Sequence, residues 1–286
     1  MAVLNLEKLA VLWKESPDMS PHNESLLRLI RATLPDSEIN DYNGHTITQD
    51  DLNNVSGVIN IGGDGHFLNG ARYLQQPDQF IVGFTYNHSL SQGHYNLFHG
   101  DQSGLQQLLE NLRQGRVATS HYQRLDVFLD GEKIDTVLNE VWEKSVSGSS
   151  LRHEVKINGI HGSYVHGGFG VATPSGRSGL VGRINPLGID TDIPPDAVLY
   201  RACTWTTEHG EVLGERRKGF SGQSVYDGIL PLHKSIRVVS LNRNGSAHIV
   251  CDGRHELLPN PRVYAFDDGK VLEVKRSRSD LLYVKE

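Results

Sequence analysis

Cysteine and methionine are the scarcest residues, two of each in 286. Cys203 and Cys251 lie far apart and lack the short Cys-x-x-Cys spacing of zinc sites, so the expectation is two buried free thiols in a reducing compartment. Long hydrophobic runs are also missing: no stretch approaches the ~20 apolar residues that span a bilayer. The N-terminus has no basic segment followed by an apolar core, which predicts no signal peptide and a cytoplasmic protein with no membrane partner. Positive charge is not in excess. Lys and Arg number 28 against 34 Asp and Glu, for a formal net charge of −6, which argues against general nucleic-acid binding. It leaves room for a small nucleotide pocket, because the local field decides that. Several site patterns are absent as well. There is no Walker A sequence, no G-x-S-x-G elbow and no H-E-x-x-H. Gly63-Asp64-Gly65 begins like G-x-G-x-x-G, but Leu68 stands where the last glycine belongs. The fourteen histidines are scattered, a pattern that reads as surface or structural.

What remains is an ordinary globular composition, 37% hydrophobic and 22% charged, on a chain long enough for one large or two ordinary domains. The first part alternates strand and helix signals. Leu9–Trp13, Val55–Ile61 and Phe80–Phe84 read as strands. Leu26, Leu27, Leu29, Ile30 and Leu34 are spaced as in a helix, with Ser20-Pro21 as its N-cap and first residue. Phe67, Leu68, Ala71 and Leu74 form a second stripe, and Leu105, Leu108, Leu109 and Leu112 a third, closed by Gly115. This alternation predicts a doubly wound parallel sheet. After Ala118 short strands take over: Leu125–Leu129, Thr136–Trp142, Glu154–Ile157 and Ile236–Leu241, joined by turns such as Asp130-Gly131 and Asn158-Gly159. This half reads as a β-sandwich or layered β domain. Val181–Gly222 reads as a long loop with one strand, Ala197–Trp205. The expected organisation is an α/β domain over 1–118 and a β-rich domain over 119–266.

Three segments carry candidate chemistry. In Ile59-Asn60-Ile61-Gly62-Gly63-Asp64-Gly65-His66, an apolar strand enters a glycine-rich turn and then a helix. Gly62, Gly63 and Gly65 let the backbone approach a ligand, and the helix aims N–H groups at it, a place for phosphate. An aspartate in such a turn would repel an anion. Asp64 is therefore read as a base or a metal-bound group, against the alternative of a helix N-cap in a surface turn. Asn139 and Glu140 sit inside the apolar run Val137–Trp142, where adjacent side chains face opposite ways. At least one is expected to be buried, facing either a ribose or amide ligand or a strand-end salt bridge. Gly167–Gly179 is a second glycine-rich turn whose hydroxyls and Arg177 suit a phosphate, or make an ordinary polar loop. Val250-Cys251-Asp252-Gly253 alone reads as a strand entering a hairpin.

In this order the segments resemble the NAD kinases. Gly62-Gly63-Asp64-Gly65 is similar to that family's GGDG motif and Leu138-Asn139-Glu140-Val141 to its LNEV segment. Thr173-Pro174-Ser175-Gly176-Arg177-Ser178 resembles its TPTGST loop, and Asp252-Gly253 its late DG turn. The likeness runs from Val55 to Lys275. It implies an NAD kinase-like fold, an α/β N-terminal domain plus a β-rich C-terminal domain, with the tail 267–286 packing back on the first. The chain departs from the pattern at four places. His66 replaces a threonine, Thr85–Asn87 lacks an Asn-x-Gly, Gly167 replaces an aspartate, and Gly179-Leu180 replaces Ala-Tyr. Ser91-Gln92-Gly93-His94 and Arg183-Ile184-Asn185 resemble the divergent mitochondrial-type branch instead.

The resemblance implies transfer of the γ-phosphoryl of ATP, with Mg²⁺, to the 2′-hydroxyl of NAD. Asp64 would orient or deprotonate that hydroxyl. Gly62, Gly63 and Gly65 would admit phosphate, and Asn139 and Glu140 would hold a ribose or the nicotinamide amide. Thr173, Ser175, Gly176, Arg177 and Ser178 would line the adenine or phosphate side. His66 reads equally as a phosphate contact or a helix residue. The implied partners are small-molecule nucleotides and copies of the same chain, as a homo-oligomer. Competing readings are a lipid or sphingoid kinase, a phosphofructokinase-type sugar kinase, and a nucleotide sensor that has lost activity.

Overall fold

The computed structural model describes residues 4–13, 21–86, 95–146, 150–157, 159–178, 196–203, 205–206, 212–213, 227–231, 233–253 and 261–285. The expectations placed on Ser20, Ser91–His94, Gly179-Leu180 and Arg183–Asn185 lie outside the described residues, as do the side chains of Arg177, Ser178 and Cys203. The chain divides into two compact units, residues 1–122 with 279–286, and residues 123–278.

The elements of the first unit before the crossing are β1 (Lys8–Trp13), α1 (Pro21–Thr33), β2 (Glu38–Asn43), α2 (Gln49–Leu52), β3 (Gly57–Ile61), α3 (Asp64–Ala71), β4 (Phe80–Thr85), β5 (Phe98–His99), α4 (Gln102–Arg113) and β6 (Ala118–Tyr122). The second unit holds β7 (Leu125–Leu129), β8 (Glu132–Val137), β9 (Glu140–Ser145), β10 (Leu151–Ile157), β11 (Ile160–His166), β12 (Gly168–Ala172), β13 (Ala197–Cys203), β14 (Trp205–Thr206), β15 (Val212–Leu213), β16 (Asp227–Pro231), β17 (Ile236–Ser240), β18 (Ala247–Cys251), β19 (Val263–Ala265) and β20 (Val271–Arg276). The last strand, β21 (Leu281–Lys285), returns to the first unit.

In the first unit the sheet order is β2-β1-β3-β4-β21-β6, with β5 alongside the end of β4. All pairs are parallel except β21 with β6. Every residue of β3 and β4 is buried, the near-continuous apolar run of a strand covered on both faces. Side chains alternate across the sheet, and so do the helices. Val11, Trp13, Ile59 and Val82 pack with the apolar stripes of α1 and α4. α3 lies on the opposite face, where the space over Gly70 is filled by the tips of Leu12 and Ile81. The sheet is therefore doubly wound. α4 starts at Asp101, whose carboxylate accepts from the N–H groups of Ser103 (2.9 Å) and Gly104 (3.1 Å). It ends at Gln114, one residue before Gly115, which takes a left-handed φ of 63°. β2, Glu-Ile-Asn-Asp-Tyr-Asn, carries only one fully buried residue and left no strand signal in the sequence.

The second unit contains two antiparallel six-stranded sheets, β11-β10-β17-β20-β7-β8 and β16-β13-β12-β9-β18-β19. Their facing residues share one core, including Val127, Val155, Val238 and Leu272 from the first and Val141, Phe169, Ile249 and Cys251 from the second. Buried polar groups also lie in this interior, Glu143 and His153 among them. Glu143 of β9 pairs with His153 of β10 at 2.9 Å, and Asn242 donates to Glu143 at 3.2 Å. The single strand read over Thr136–Trp142 is two strands. β8 stops at Val137, β9 starts at Glu140, and each belongs to a different sheet. In the segment read as a loop with one strand, β13 is joined by the short β14–β15 pair.

Candidate functional site

The glycine-rich turn follows β3, at the point where the strand order reverses between β1 and β3. Open α/β sheets bind ligands at the carboxyl ends of strands at such a reversal. Here the turn is pinned to the end of β4. Gly62 N–H donates to the Phe84 carbonyl at 3.0 Å, and the Thr85 hydroxyl donates to the Gly62 carbonyl at 3.2 Å. Gly63 is the N-cap of α3, so Asp64 is its first helical residue and not its cap. A side chain on Gly65 would meet no other atom within 4 Å, which leaves this point of the turn open to a ligand.

Asp64 has neutral donors. Its Oδ1 accepts from the Tyr95 backbone N–H at 3.1 Å and from Asn96 Nδ2 at 3.0 Å. Asn96 Oδ1 in turn accepts from Asn60 Nδ2 at 2.8 Å. The Tyr95 ring stacks on Phe67 of α3 (centroids 5.2 Å apart) and meets Tyr122 edge-on at 5.3 Å. Tyr122 stacks on Tyr283 at 3.7 Å. Burial first, then the neighbouring Tyr283 phenol and the Asp64 charge, push the Tyr122 phenol well above its ordinary value. It therefore stays neutral beside the carboxylate. His66 points the other way into the protein. It is buried, and its Nε2 lies 3.0 Å from His45 Nε2, so one ring donates and the other accepts.

The other sequence-marked residues belong to the second unit. Leu138 and Asn139 form a break between two strands, and three successive N–H groups there point at one carboxylate. Asp252 Oδ1 accepts from Asn139 (2.7 Å) and Glu140 (3.1 Å), and Oδ2 from Leu138 (3.2 Å). This corrects the reading of Asn139 and Glu140 as neighbours within one strand. Asn139 lies in the break, half-exposed, and Glu140 is buried on β9 opposite Ala172 of β12. Asp252 reaches the break because Asp252 and Gly253 both take left-handed φ values, 48° and 65°. Its charge is met by Arg262 Nη1 at 2.7 Å. The same buried guanidinium donates from Nε to Asp135 at 2.7 Å, from Nη2 to Asp135 Oδ1, and to the Thr136 carbonyl at 2.6 Å. Burial opposes charge on Arg262, but Asp135 and Asp252 outweigh it and hold the proton on. Burial, reinforced by the same two carboxylates and opposed by Arg262, raises the Cys251 thiol.

Thr173, Ser175 and Gly176 join this break from the other side. The hydroxyls of Thr173 and Ser175 donate to the Leu138 carbonyl at 2.6 and 3.0 Å, and the Thr173 N–H donates to the Asn139 carbonyl at 2.9 Å. A Cβ on Gly176 would overlap that carbonyl, so glycine is required there. Arg177 and Ser178 continue the chain in a short 3₁₀ turn. The structure thus gathers Asn139, Glu140, Thr173, Ser175 and Gly176 in the second unit, and Gly62–His66 in the first. Sequence reasoning passed over Asn60, Asn96 and Arg262. A buried asparagine in an apolar parallel strand was the available signal for the first. Arg262, remote in sequence from Asp135 and Thr136, left none. It also noticed Asp252 without giving it a role.

No family model matches the sequence. A curated relative, NAD kinase 2 of Geobacillus kaustophilus (strain HTA426), is 26% identical over 169 residues, 58% of this chain and 61% of the relative. The match thus spans less than two thirds of that relative's length. A solved NAD kinase from Archaeoglobus fulgidus in complex with ATP superposes with a TM-score of 0.65 at 16% identity, covering 96% of this chain and 92% of that one. Yeast NADH kinase complexed with NADH gives 0.73, also at 16%, covering 98% and 84%. The fold is that of the NAD kinases. The sequence-level expectation of an α/β domain plus a β-rich domain agrees with it. As for Mg²⁺, no cluster of three or more His, Cys, Asp or Glu able to hold an ion is found among the described residues.

Proposed function

We propose that this chain is a phosphotransferase that moves the γ-phosphoryl of ATP to the 2′-hydroxyl of the adenosine ribose of NAD or NADH. The observation that carries the reading is the place of Asp64, a half-exposed carboxylate at the strand-order reversal of an NAD kinase-like sheet. Asp64 accepts the hydroxyl proton as the ribose oxygen bonds to phosphorus, and the bond to the β–γ bridging oxygen breaks to release ADP. Mg²⁺ enters with ATP as part of the donor substrate. Gly62, Gly63 and Gly65 admit phosphate, while Asn139 and Glu140 bind the acceptor. Thr173, Ser175 and Gly176 hold the Asn139 segment in shape, a role supported by their bonds to the Leu138 and Asn139 carbonyls. Arg177 and Ser178 stand next along that loop and are proposed to face phosphate or adenine. We assign His66 to packing against His45 and not to phosphate.

The likeness of Ser91–His94 and Arg183–Asn185 to the mitochondrial-type branch supports placement there. A homo-oligomer in the cytoplasm completes the reading, with light scattering as the check on assembly. The enzymatic test mixes protein, ATP and Mg²⁺ with NAD, NADH, diacylglycerol or a sugar phosphate, and follows ADP release. ADP release with NAD or NADH, matched by NADP or NADPH, is the expected result. Release only with the lipid or sugar would reassign the acceptor. Measurable NAD binding without ADP release would make the protein a sensor.

A further inference from the structure

Among the described residues, the large apolar or aromatic side chains left exposed are Tyr86, Val146, Val165, Ile229 and Leu241. All but Tyr86 are aliphatic and lie in the second unit. Tyr86, 38% exposed, is the aromatic among them and belongs to the first unit. It follows Thr85, the last residue of β4. The Thr85 hydroxyl donates to the Gly62 carbonyl, and the Gly62 N–H donates to the Phe84 carbonyl. The chain leading into Tyr86 is thus tied to the glycine-rich turn at two successive residues. His22, in the first turn of α1, is exposed as well. Its ring meets that of Tyr86 at a centroid distance of 4.1 Å and an interplanar angle of 64°, an edge-on contact. The two rings come from chain that leaves β1 and β4, the strands on either side of β3. They therefore meet beside the turn that leaves β3.

We propose that Tyr86, braced by His22, is a stacking platform for the adenine ring of a nucleotide whose phosphate enters at Gly62–Gly65. The inference rests on the reading of that turn as the place where phosphate is admitted. Exposed aromatic rings keep apolar area in water, and a flat heterocycle laid on them removes it. Stacking of a base on an aromatic side chain needs a π-face and no charge, and tyrosine and histidine both serve. The edge-on contact holds the Tyr86 ring before a ligand arrives, which lowers the ordering cost of binding. A nucleotide carries its base one ribose away from its phosphates. The bonds of Thr85 and Phe84 to Gly62 keep Tyr86 close to the turn, so the base and the phosphate can be met together. Adenine is shared by ATP and by the adenosine half of NAD or NADH, and binding measured for each separately identifies which one the rings hold.

The test measures equilibrium binding of ATP, NAD, inorganic tripolyphosphate and nicotinamide mononucleotide to the full chain by calorimetry; the last two compounds lack adenine. Tyr86→Ala is expected to weaken ATP or NAD about tenfold, the scale of one stacked base, and to leave the adenine-free compounds within about twofold. Tyr86→Phe, which keeps the ring, should bind as the wild type does. His22→Ala should cost about threefold, because the Tyr86 ring stays but loses its brace. If the alanine variant fails to fold, Tyr86→Thr serves in its place. Proton resonances H2 and H8 of the bound adenine should lie upfield in the wild type and return in Tyr86→Ala. Loss for ATP alone assigns the rings to the donor, loss for NAD alone to the acceptor, and loss for both to a surface that either can use. ATP and NAD affinities unchanged by the removal of the ring overturn the proposal. So does an equal loss for the adenine-free compounds, which would put the effect at the phosphate turn, and so does a wild type that binds neither ATP nor NAD. If the ring governs binding but the wild type makes no NADP or NADPH, the phosphotransferase reading falls while the platform stands.

Discussion

Two aspartates in glycine-rich turns, Asp64 and Asp252, have opposite surroundings. Both follow an apolar strand and both accept backbone N–H groups. Asp252 is buried, takes three successive N–H donors and meets the Arg262 guanidinium at 2.7 Å. Its charge is consumed in holding the Leu138–Glu140 break in shape. Asp64 is half-exposed, and Tyr95 and Asn96 give it neutral donors. A buried guanidinium meets the Asp252 carboxylate, while the described donors to Asp64 are a backbone N–H and a side-chain amide. Under the proposed function the same residue type serves architecture at Asp252 and chemistry at Asp64.

The sharpest way to break this contrast is to make the same change at both sites. Asp64→Asn should lower kcat by about 10²–10⁴-fold with the urea midpoint nearly unchanged. Asp252→Asn should chiefly destabilise the second unit. A comparable loss of kcat from both, or none from Asp64→Asn, would erase the distinction. Next in size, Arg262→Met strands Asp135 and Asp252 together in the interior and should cost about 3–5 kcal/mol, read from chemical denaturation. A cost under about 1 kcal/mol would mean the guanidinium is dispensable. Glu140→Gln should raise KM for the dinucleotide about tenfold, the scale of losing one charged hydrogen bond, and leave kcat close to the wild type. A change in thermal stability alone would turn Glu140 into a structural residue like Asp252.

The Cys251 thiol gives a pH test of the Arg262 region. Its raised value means the folded state prefers the protonated thiol. The stability linked to it is complete below the ordinary thiol value, about 8.5, and declines as pH rises beyond it. Cys251 should accordingly resist iodoacetamide at pH 9 until the protein unfolds, as mass spectrometry of the labelled chain would show. The smallest effect is expected for Thr173→Val, about 1 kcal/mol in stability from the lost bond to the Leu138 carbonyl, with a modest rise in dinucleotide KM.

Most strands and helices were legible because burial imposes a period. The leucine stripe of α4 follows from it directly, and the unbroken run Gly57–Ile61 follows from burial on both faces. β2 was not legible, since only one of its six residues is fully buried. The break at Leu138-Asn139 was hidden for the opposite reason: apolar residues flank it on both sides, and what interrupts the strand is a set of bonds to Asp252, far along the chain. Among the candidate site residues, Gly62–Gly65 and Thr173–Gly176 stood out by composition, because glycine and hydroxyl residues are what close backbone approaches demand. Their division of labour did not, since a hydroxyl facing a ligand and one facing the Leu138 carbonyl look identical in sequence.

By itself the sequence determined where the apolar layers run, that an α/β part precedes a β-rich one, and that Asp64 sits in a glycine-rich turn between a strand and a helix. Local rules suffice for these, because period, glycine and strand length act over a few residues. Only the tertiary structure decided what each polar group faces. Asn60 meets Asn96, Asn96 meets Asp64, and Arg262 joins Asp135 to Asp252 across a wide separation in sequence. Hydrogen bonds and ion pairs act over a few ångströms in space, and spacing along the chain says nothing of which groups the fold brings that near.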